Sequence, residues 1–227
     1  MAVQLGFDLP ARAALGRDDF MVAPSNAVAL AMIDNWPSWP LAKLALTGPL
    51  GSGKSHLTHV WASEAGARIV MAMDLAEQDI DALAQHPVAV EGVDTIRADM
   101  TAQTALFHLH NLLHSAALPL LMTGVAAPNL WRLSLPDLQS RVDAAAHAAL
   151  DAPDDTLLGA VLAKLFADRQ LTPRPDVIPY LVTHMERSFA AARDIVATLD
   201  ATSLARKRPI TRSLAAELLD KDTTSGG

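Results

Sequence analysis

Cysteine is absent from the 227 residues. No disulfide framework can form, which suits a reducing cytoplasm. Positive charge is also scarce: 18 Lys and Arg stand against 25 Asp and Glu, a net charge of −7. That balance argues against a surface built to hold duplex DNA and leaves only a local basic patch open. The amino terminus, Met-Ala-Val-Gln-Leu-Gly, lacks a basic region and a long apolar core, so it does not read as a signal peptide. Charged residues are missing altogether over residues 101–131. This stretch also holds His108, His110, His114, Asn111 and Pro119. It reads as a buried helix, a break and a buried strand rather than a membrane span. What the chain does have is apolar residues, 51% of the total. Its length allows one ordinary domain and a small second one.

The chain is organised around Gly48-Pro-Leu-Gly-Ser-Gly-Lys-Ser55, which fits G-x-x-x-x-G-K-S/T at every fixed position. Leu44-Ala45-Leu46-Thr47 leads in as a strand, and 54–65 leads out as a helix. That strand–loop–helix order is the setting a phosphate-binding P-loop needs. Gly48, Gly51 and Gly53 let backbone N–H groups turn inward, and the helix adds its positive end. Pro49, Ser52 and His56 belong to the same loop and helix start. Lys54 would reach the terminal phosphates, and Ser55 would hold Mg²⁺.

In chain order, Gln4-Leu5-Gly6-Phe7-Asp8-Leu9 precedes any periodic structure. On spacing alone it is either an extended peptide for a partner's pocket or a tail packing on its own domain, the latter being the plainer reading. Ser25 or Asn26 can cap a helix over 27–35. Trp36-Pro37-Ser38-Trp39-Pro40 breaks that helix, and its tryptophans are expected to pack over the sheet edge. Short apolar strands follow at 41–47, 68–73, 87–93 and 118–123, with a weaker fifth near 145–150. Helices are expected at 54–65, 75–85 and 101–116 between them. Such alternation means a parallel sheet buried on both faces. Past Asp151 the pattern turns purely helical, at 155–169, 176–185, 188–204 and 210–219, punctuated by Pro173, Pro175 and Pro209. The expected division is an N-terminal segment 1–17, an α/β nucleotide-binding domain 18–152, a helical domain 153–221 and a disordered tail 222–227.

A P-loop site needs a carboxylate at the end of a neighbouring strand. Val88-Ala89-Val90-Glu91-Gly92-Val93-Asp94 offers Glu91, expected to hold Mg²⁺ with Ser55. The next position, where a water-polarising acid would stand, is Gly92. A positioned base is worth roughly 10²–10⁴-fold in rate. The chain is therefore expected to hold nucleotide well and hydrolyse it poorly. Asp94 could replace the missing acid, but shares a face with Gly92 only if the strand continues.

These motifs together resemble the AAA+ module of the bacterial replication initiator DnaA, and more closely the short DnaA-homologous regulators of the Hda type. The resemblance runs from Phe20 to about Leu219. Phe20 with Ser25-Asn26 resembles the segment beside the adenine pocket. Thr123-Gly124 with Pro128 resembles the sensor I loop. Leu135-Pro136-Asp137-Leu138-Gln139-Ser140-Arg141 resembles box VII, which makes Arg141 an arginine finger acting in trans. Glu186-Arg187-Ser188-Phe189 resembles the start of sensor II and aligns Arg187 with the lid arginine that touches phosphates. Hda-type proteins carry an N-terminal sequence like Gln4-Leu5-Gly6-Phe7 that binds the DNA polymerase sliding clamp, which turns the reading of Gln4, Leu5, Phe7 and Leu9 toward clamp docking. Gly92 and Val125 depart from the family pattern, the latter standing where an Asp is usual. The family's DNA-binding domain is not expected in this chain beyond the lid; Ala205-Arg206-Lys207-Arg208 reads as a solvated helix end.

The resemblance implies a cytoplasmic regulator of replication initiation. It would bind ADP or ATP with Mg²⁺, have weak or no ATPase of its own, and form a homo-oligomer if any. With the sliding clamp it would promote hydrolysis of DnaA-bound ATP, with no sequence-specific DNA contact and no membrane. Two rivals stand beside it: an autonomous AAA+ ATPase of initiator or loader type, and a nucleotide-gated interaction module without effect on hydrolysis. His110 and His114 have the i, i+4 spacing of a zinc helix, but Asn111 replaces the glutamate and no third ligand is evident. They read as histidines of a packed or interfacial helix face.

Overall fold

Five short runs rich in Leu, Val and Ala form the sheet because both of its faces are covered, so alternation with polar residues is not required. The computed structural model describes residues 21–224. The strands are β1 (Lys43–Thr47), β2 (Arg68–Met71), β3 (Val88–Glu91), β4 (Leu120–Gly124) and β5 (Ala146–Ala149). They lie in the order β2-β3-β4-β1-β5, and every pairing is parallel. Strand side chains alternate between two clusters. Leu44, Leu46, Ala89 and Leu121 face the layer of α1 (Ala27–Asp34) and α2 (Lys54–Ala65). Ala45, Val88, Val90, Leu120 and Met122 face the layer of α4 (Met100–Ser115) and α5 (Pro136–Asp143). Each fully buried Leu, Val or Met among them contributes roughly 1.5–3 kcal/mol.

The expected strands and most helices are present, within the few residues by which ends are uncertain. The expected helix over 75–85 is instead a 3₁₀ turn, Ala72–Glu77, followed by the single turn α3 (Ile80–Leu83). Asp79 interrupts the run by accepting the Ala82 N–H as the cap of α3, the local bonding that makes Asp a poor helix-interior residue. Asn26 does stand at the start of α1 but makes no side-chain cap bond. Its amide instead accepts from Ala23 N–H and donates to the Met21 carbonyl, closing the preceding turn. Trp39 stacks on Trp61 of α2 with ring centroids 5.3 Å apart, within the cluster that also takes in Ala148 of the edge strand β5.

Beyond β5, α6 (Asp155–Asp168), α7 (Val177–His184), α8 (Phe189–Arg206) and α9 (Arg212–Thr224) close around their own cluster. Its centre is Leu158, Leu162, Phe166, Leu181, Val196 and Leu199. The basic run at 205–208 is the end of α8: Lys207 takes the left-handed cap conformation at φ 49°, and Arg206 forks onto Glu217. No helix of the described residues is long and apolar enough to cross a membrane.

Candidate functional site

The register places three strand ends together. Thr47 of β1 pairs with Gly124 of β4, and Val90 of β3 pairs with Met122. The P-loop, the acidic turn after Glu91 and the loop after Gly124 therefore leave the same edge of the sheet. This carboxyl edge, next to the point where the chain reverses direction across the sheet, is where open α/β sheets bind ligands.

Two P-loop glycines are dictated by close approach. A Cβ on Gly48 (φ 153°) would lie 2.5 Å from the Leu150 carbonyl oxygen. One on Gly51 (φ 72°) would lie 2.5 Å from the Ser188 Cβ. Only Gly combines left-handed backbone with that proximity. Lys54 begins α2, and its ammonium donates to the carbonyls of Gly48 at 2.6 Å and Pro49 at 2.8 Å. Burial lowers the Lys54 pKa, while the nearby carboxylates of Asp94 and Glu91 act to raise it. Ser55 is exposed, His56 half-buried, and Ser52 buried with its hydroxyl unpartnered.

Glu91 ends β3 with Oε1 buried and without a hydrogen-bond partner. The strand does not continue: Gly92 turns left-handed at φ 72° and a 3₁₀ turn, Val93–Ile96, follows. Asp94 nevertheless faces the site. Its Oδ2 accepts the Val125 N–H at 2.9 Å, and the Val125 carbonyl accepts the Gly48 N–H at 3.2 Å. Beside this, Gly92 N–H donates to the Thr123 hydroxyl at 3.1 Å. Gly124 is pinned by Trp131, whose ring a Cβ there would meet at 2.6 Å; the indole N–H donates to the Ala126 carbonyl.

The helical part reaches the P-loop at one seam. Ser188 is buried and caps α8 by accepting the Ala191 N–H. The next amide, Phe189 N–H, donates to the Gly51 carbonyl at 2.9 Å. Arg187 stands one residue away, paired with Asp155 at 2.5 Å. Glu91, Lys54 and the P-loop glycines are thus assembled at one sheet edge, with Arg187 at its rim.

Arg141 is elsewhere. It lies in the last turn of α5, just before β5, whose Ala146 pairs with Leu44 near the start of β1. That is the sheet edge opposite the P-loop, about 10 Å away along the strand at ~3.3 Å per residue. Its side chain is exposed, with the guanidinium 5.9 Å from the Phe107 ring centroid. No carboxylate among the described residues is paired with it. The segment carrying it is fixed by the side-chain amides of buried Gln103 and half-buried Gln139. Gln103 of α4 donates to the Ile96 and Arg97 carbonyls and accepts the Leu135 N–H. Gln139 accepts the Leu133 N–H and donates to the Pro128 carbonyl. Nearby, His110 is buried with Nδ1 unpartnered. Burial, then Lys43, Arg141 and His114, push its pKa down to about 4 against a weaker opposing bond to Asn111. Among the described residues no group of three or more His, Asp or Glu side chains converges on a metal site.

Gln4, Leu5, Phe7, Leu9 and Phe20 lie outside the described residues. Sequence reading did not reach Gln103, Phe107, the cap and seam made by Ser188, or the tie between Asp94 and Val125. A polar Gln inside an uncharged helical run was the one available signal for Gln103. The others depend on contacts between residues distant in the chain.

No protein-family model matches this chain. Among solved structures, domain III of the Thermotoga maritima replication initiation protein DnaA superposes with a TM-score of 0.78 at 18% identity, over 94% of this chain and 98% of that one. AMPPCP-bound DnaA from Aquifex aeolicus matches with a TM-score of 0.69 at 16% identity, over 82% of this chain and 64% of its own length. A katanin matches with a TM-score of 0.66 at 17% identity, over 90% and 84%. The chain therefore has a DnaA-like AAA+ fold, a parallel sheet flanked by helices and followed by a small helical lid.

Proposed function

We propose that this chain is a nucleotide-binding regulator of replication initiation of the Hda type, which lends Arg141 to the hydrolysis of ATP held by DnaA. Its parts divide at 1–17, 18–152, 153–221 and 222–227. In its own P-loop, Gly48, Pro49, Gly51, Ser52, Gly53, Lys54, Ser55 and His56 bind ADP or ATP, with Phe20 beside the base and Arg187 at the lid. The AMPPCP carried by the Aquifex DnaA supports this reading. So does a cradle whose first two glycines, Gly48 and Gly51, tolerate no side chain. Ser55 and Glu91 would hold Mg²⁺, a fit supported by the buried, unpartnered Glu91 oxygen; when bound, the ion offsets phosphate charge. Gln4, Leu5, Phe7 and Leu9 dock on the sliding clamp and bring the chain to DnaA. The setting is cytoplasmic, with a homo-oligomer as an allowed state.

The observation that carries this reading is the setting of Arg141. It is exposed, rests on an aromatic face, has no carboxylate partner among the described residues, and lies across the sheet from its own P-loop. A guanidinium so placed is available to a second molecule's phosphates and remote from its own. The test is phosphate release from ATP-loaded DnaA with the clamp and this chain. Arg141→Ala is expected to keep nucleotide and clamp binding and to lose stimulation by roughly 10³-fold, the low end for an arginine supplied in trans. Normal stimulation by that variant removes the assigned role.

One observation favours an autonomous ATPase instead: Asp94, beyond the missing acid at Gly92, still lies near enough to Lys54 to influence its charge. Turnover by the isolated chain, abolished in Lys54→Ala, would select that rival.

A further inference from the structure

The ladder between β3 and β4 ends at Val90 and Met122. Two side-chain bonds continue it toward the P-loop. The Thr123 hydroxyl takes the Gly92 N–H at 3.1 Å, and the Asp94 carboxylate takes the Val125 N–H at 2.9 Å. The second is made possible by the turn at Gly92, whose left-handed φ of 72° swings the chain out of the strand. Thr95 closes that turn by donating its hydroxyl to the Gly92 carbonyl at 2.7 Å. Val125 is consequently held through both of its backbone polar groups, its N–H by Asp94 and its carbonyl by the Gly48 N–H. Its side chain is apolar and 45% exposed, so nothing else polar on this residue fixes it.

We propose that Asp94 is a positioning residue of the phosphate site, acting through Val125 to set the first P-loop peptide at Gly48. The inference rests on the reading of the P-loop as a nucleotide site. A charge-assisted bond to a backbone amide is the stronger kind. Here it locks a loop that would otherwise end in a free peptide beside the cradle. The Lys54 ammonium donates to the Gly48 carbonyl, so the same residue that Asp94 steadies at its N–H also anchors the lysine at its carbonyl.

The test uses the full chain, mant-ADP and mant-ATP with Mg²⁺, and amide hydrogen exchange. Asp94→Ala is expected to weaken both nucleotides about tenfold, the effect of losing one good hydrogen bond to a charged group. It should also expose the Val125 and Gly48 amides to exchange. Asp94→Asn, whose side-chain oxygen can still accept the Val125 N–H, is expected to restore binding to within about threefold and to restore protection. Equal loss in both variants would mean that charge, and not the bond, matters, and overturns the proposal. So does wild-type binding in Asp94→Ala. Wild-type chain whose Val125 amide exchanges freely while the β4 amides stay protected overturns it without any variant, even if Asp94→Ala does not fold. Failure of the wild type to bind either nucleotide is a different result: it sinks the nucleotide reading itself, and the role of Asp94 with it.

Discussion

The two sheet edges treat their positive charges in opposite ways. At the P-loop, Lys54 is bonded to two carbonyls and faces two carboxylates, and Arg187 is paired with Asp155. At the opposite edge, Arg141 lies on Phe107, and two buried bases stand behind it: Lys43 donates to the Leu118 carbonyl and is pushed down to about 8 by burial, and His110 is pushed down to about 4. One corner is electrostatically compensated within the chain. At the other, Arg141 has no paired carboxylate among the described residues. An ionised group left without an opposite charge stays charged most readily in water, and among these bases only Arg141 is exposed.

Gly51→Ala gives the largest expected effect on the compensated corner. The new Cβ would meet Ser188 at 2.5 Å on a backbone at φ 72°, so the seam that joins α8 to the P-loop must open. Crowding of this kind costs about 1–3 kcal/mol, with left-handed strain of about 1 kcal/mol more. Thermal melting should show the loss, and nucleotide affinity should fall with it. Stimulation of a partner at saturating nucleotide should be retained, because Arg141 does not touch this seam. A variant that melts like the wild type would mean that the lid does not lean on the P-loop.

The uncompensated corner is sharpened by pH. His110 is held neutral, with a pKa near 4 in the folded chain against about 6.5 unfolded. The unfolded chain then binds the extra proton first. The His110 contribution to stability is complete above about pH 6.5, declines as pH falls, and is gone below about 4. Melting temperature measured from pH 7 to 4 should therefore fall in this window, and less so in His110→Leu. Arg141→Ala removes one of the repelling charges, so the His110 imidazole should titrate higher by NMR. An unmoved His110 titration would mean that the guanidinium does not stand near it.

Much of this arrangement was legible in the residues. Strand–loop–helix order around Gly48–Ser55 follows from periodicity and glycine placement, and the parallel sheet from apolar runs separated by helices. Box VII could be matched by its residues, which is a resemblance and not a geometry. What stayed hidden depended on the third dimension. The bond from Val125 to Asp94 turns on a left-handed Gly92 and on a loop 31 residues away. The seam at Ser188 joins residues 137 apart in number, and no local pattern encodes it. The expected helix over 75–85 failed because propensity summed over the window missed one capping Asp79.

Asp155→Asn makes the smallest change and probes the compensated corner most directly. Both members of the Arg187–Asp155 pair are largely exposed, 51% and 66%, so the pair contributes no more than about 0–1 kcal/mol to stability. Asp155 also sits in the first turn of α6, where losing a negative charge costs a few tenths of a kcal/mol, about 0.3–1 at most. Melting should therefore shift little. Nucleotide affinity is the informative readout, since Arg187 lies one residue from the seam at Ser188. If the pair draws Arg187 away from the phosphates, releasing it should tighten Mg-ATP binding by up to about fivefold, the equivalent of that same 1 kcal/mol. Arg187→Gln in the same background should cancel the gain. If affinity falls instead, Asp155 holds Arg187 in place for the phosphates, and the pair belongs to the binding site rather than in competition with it.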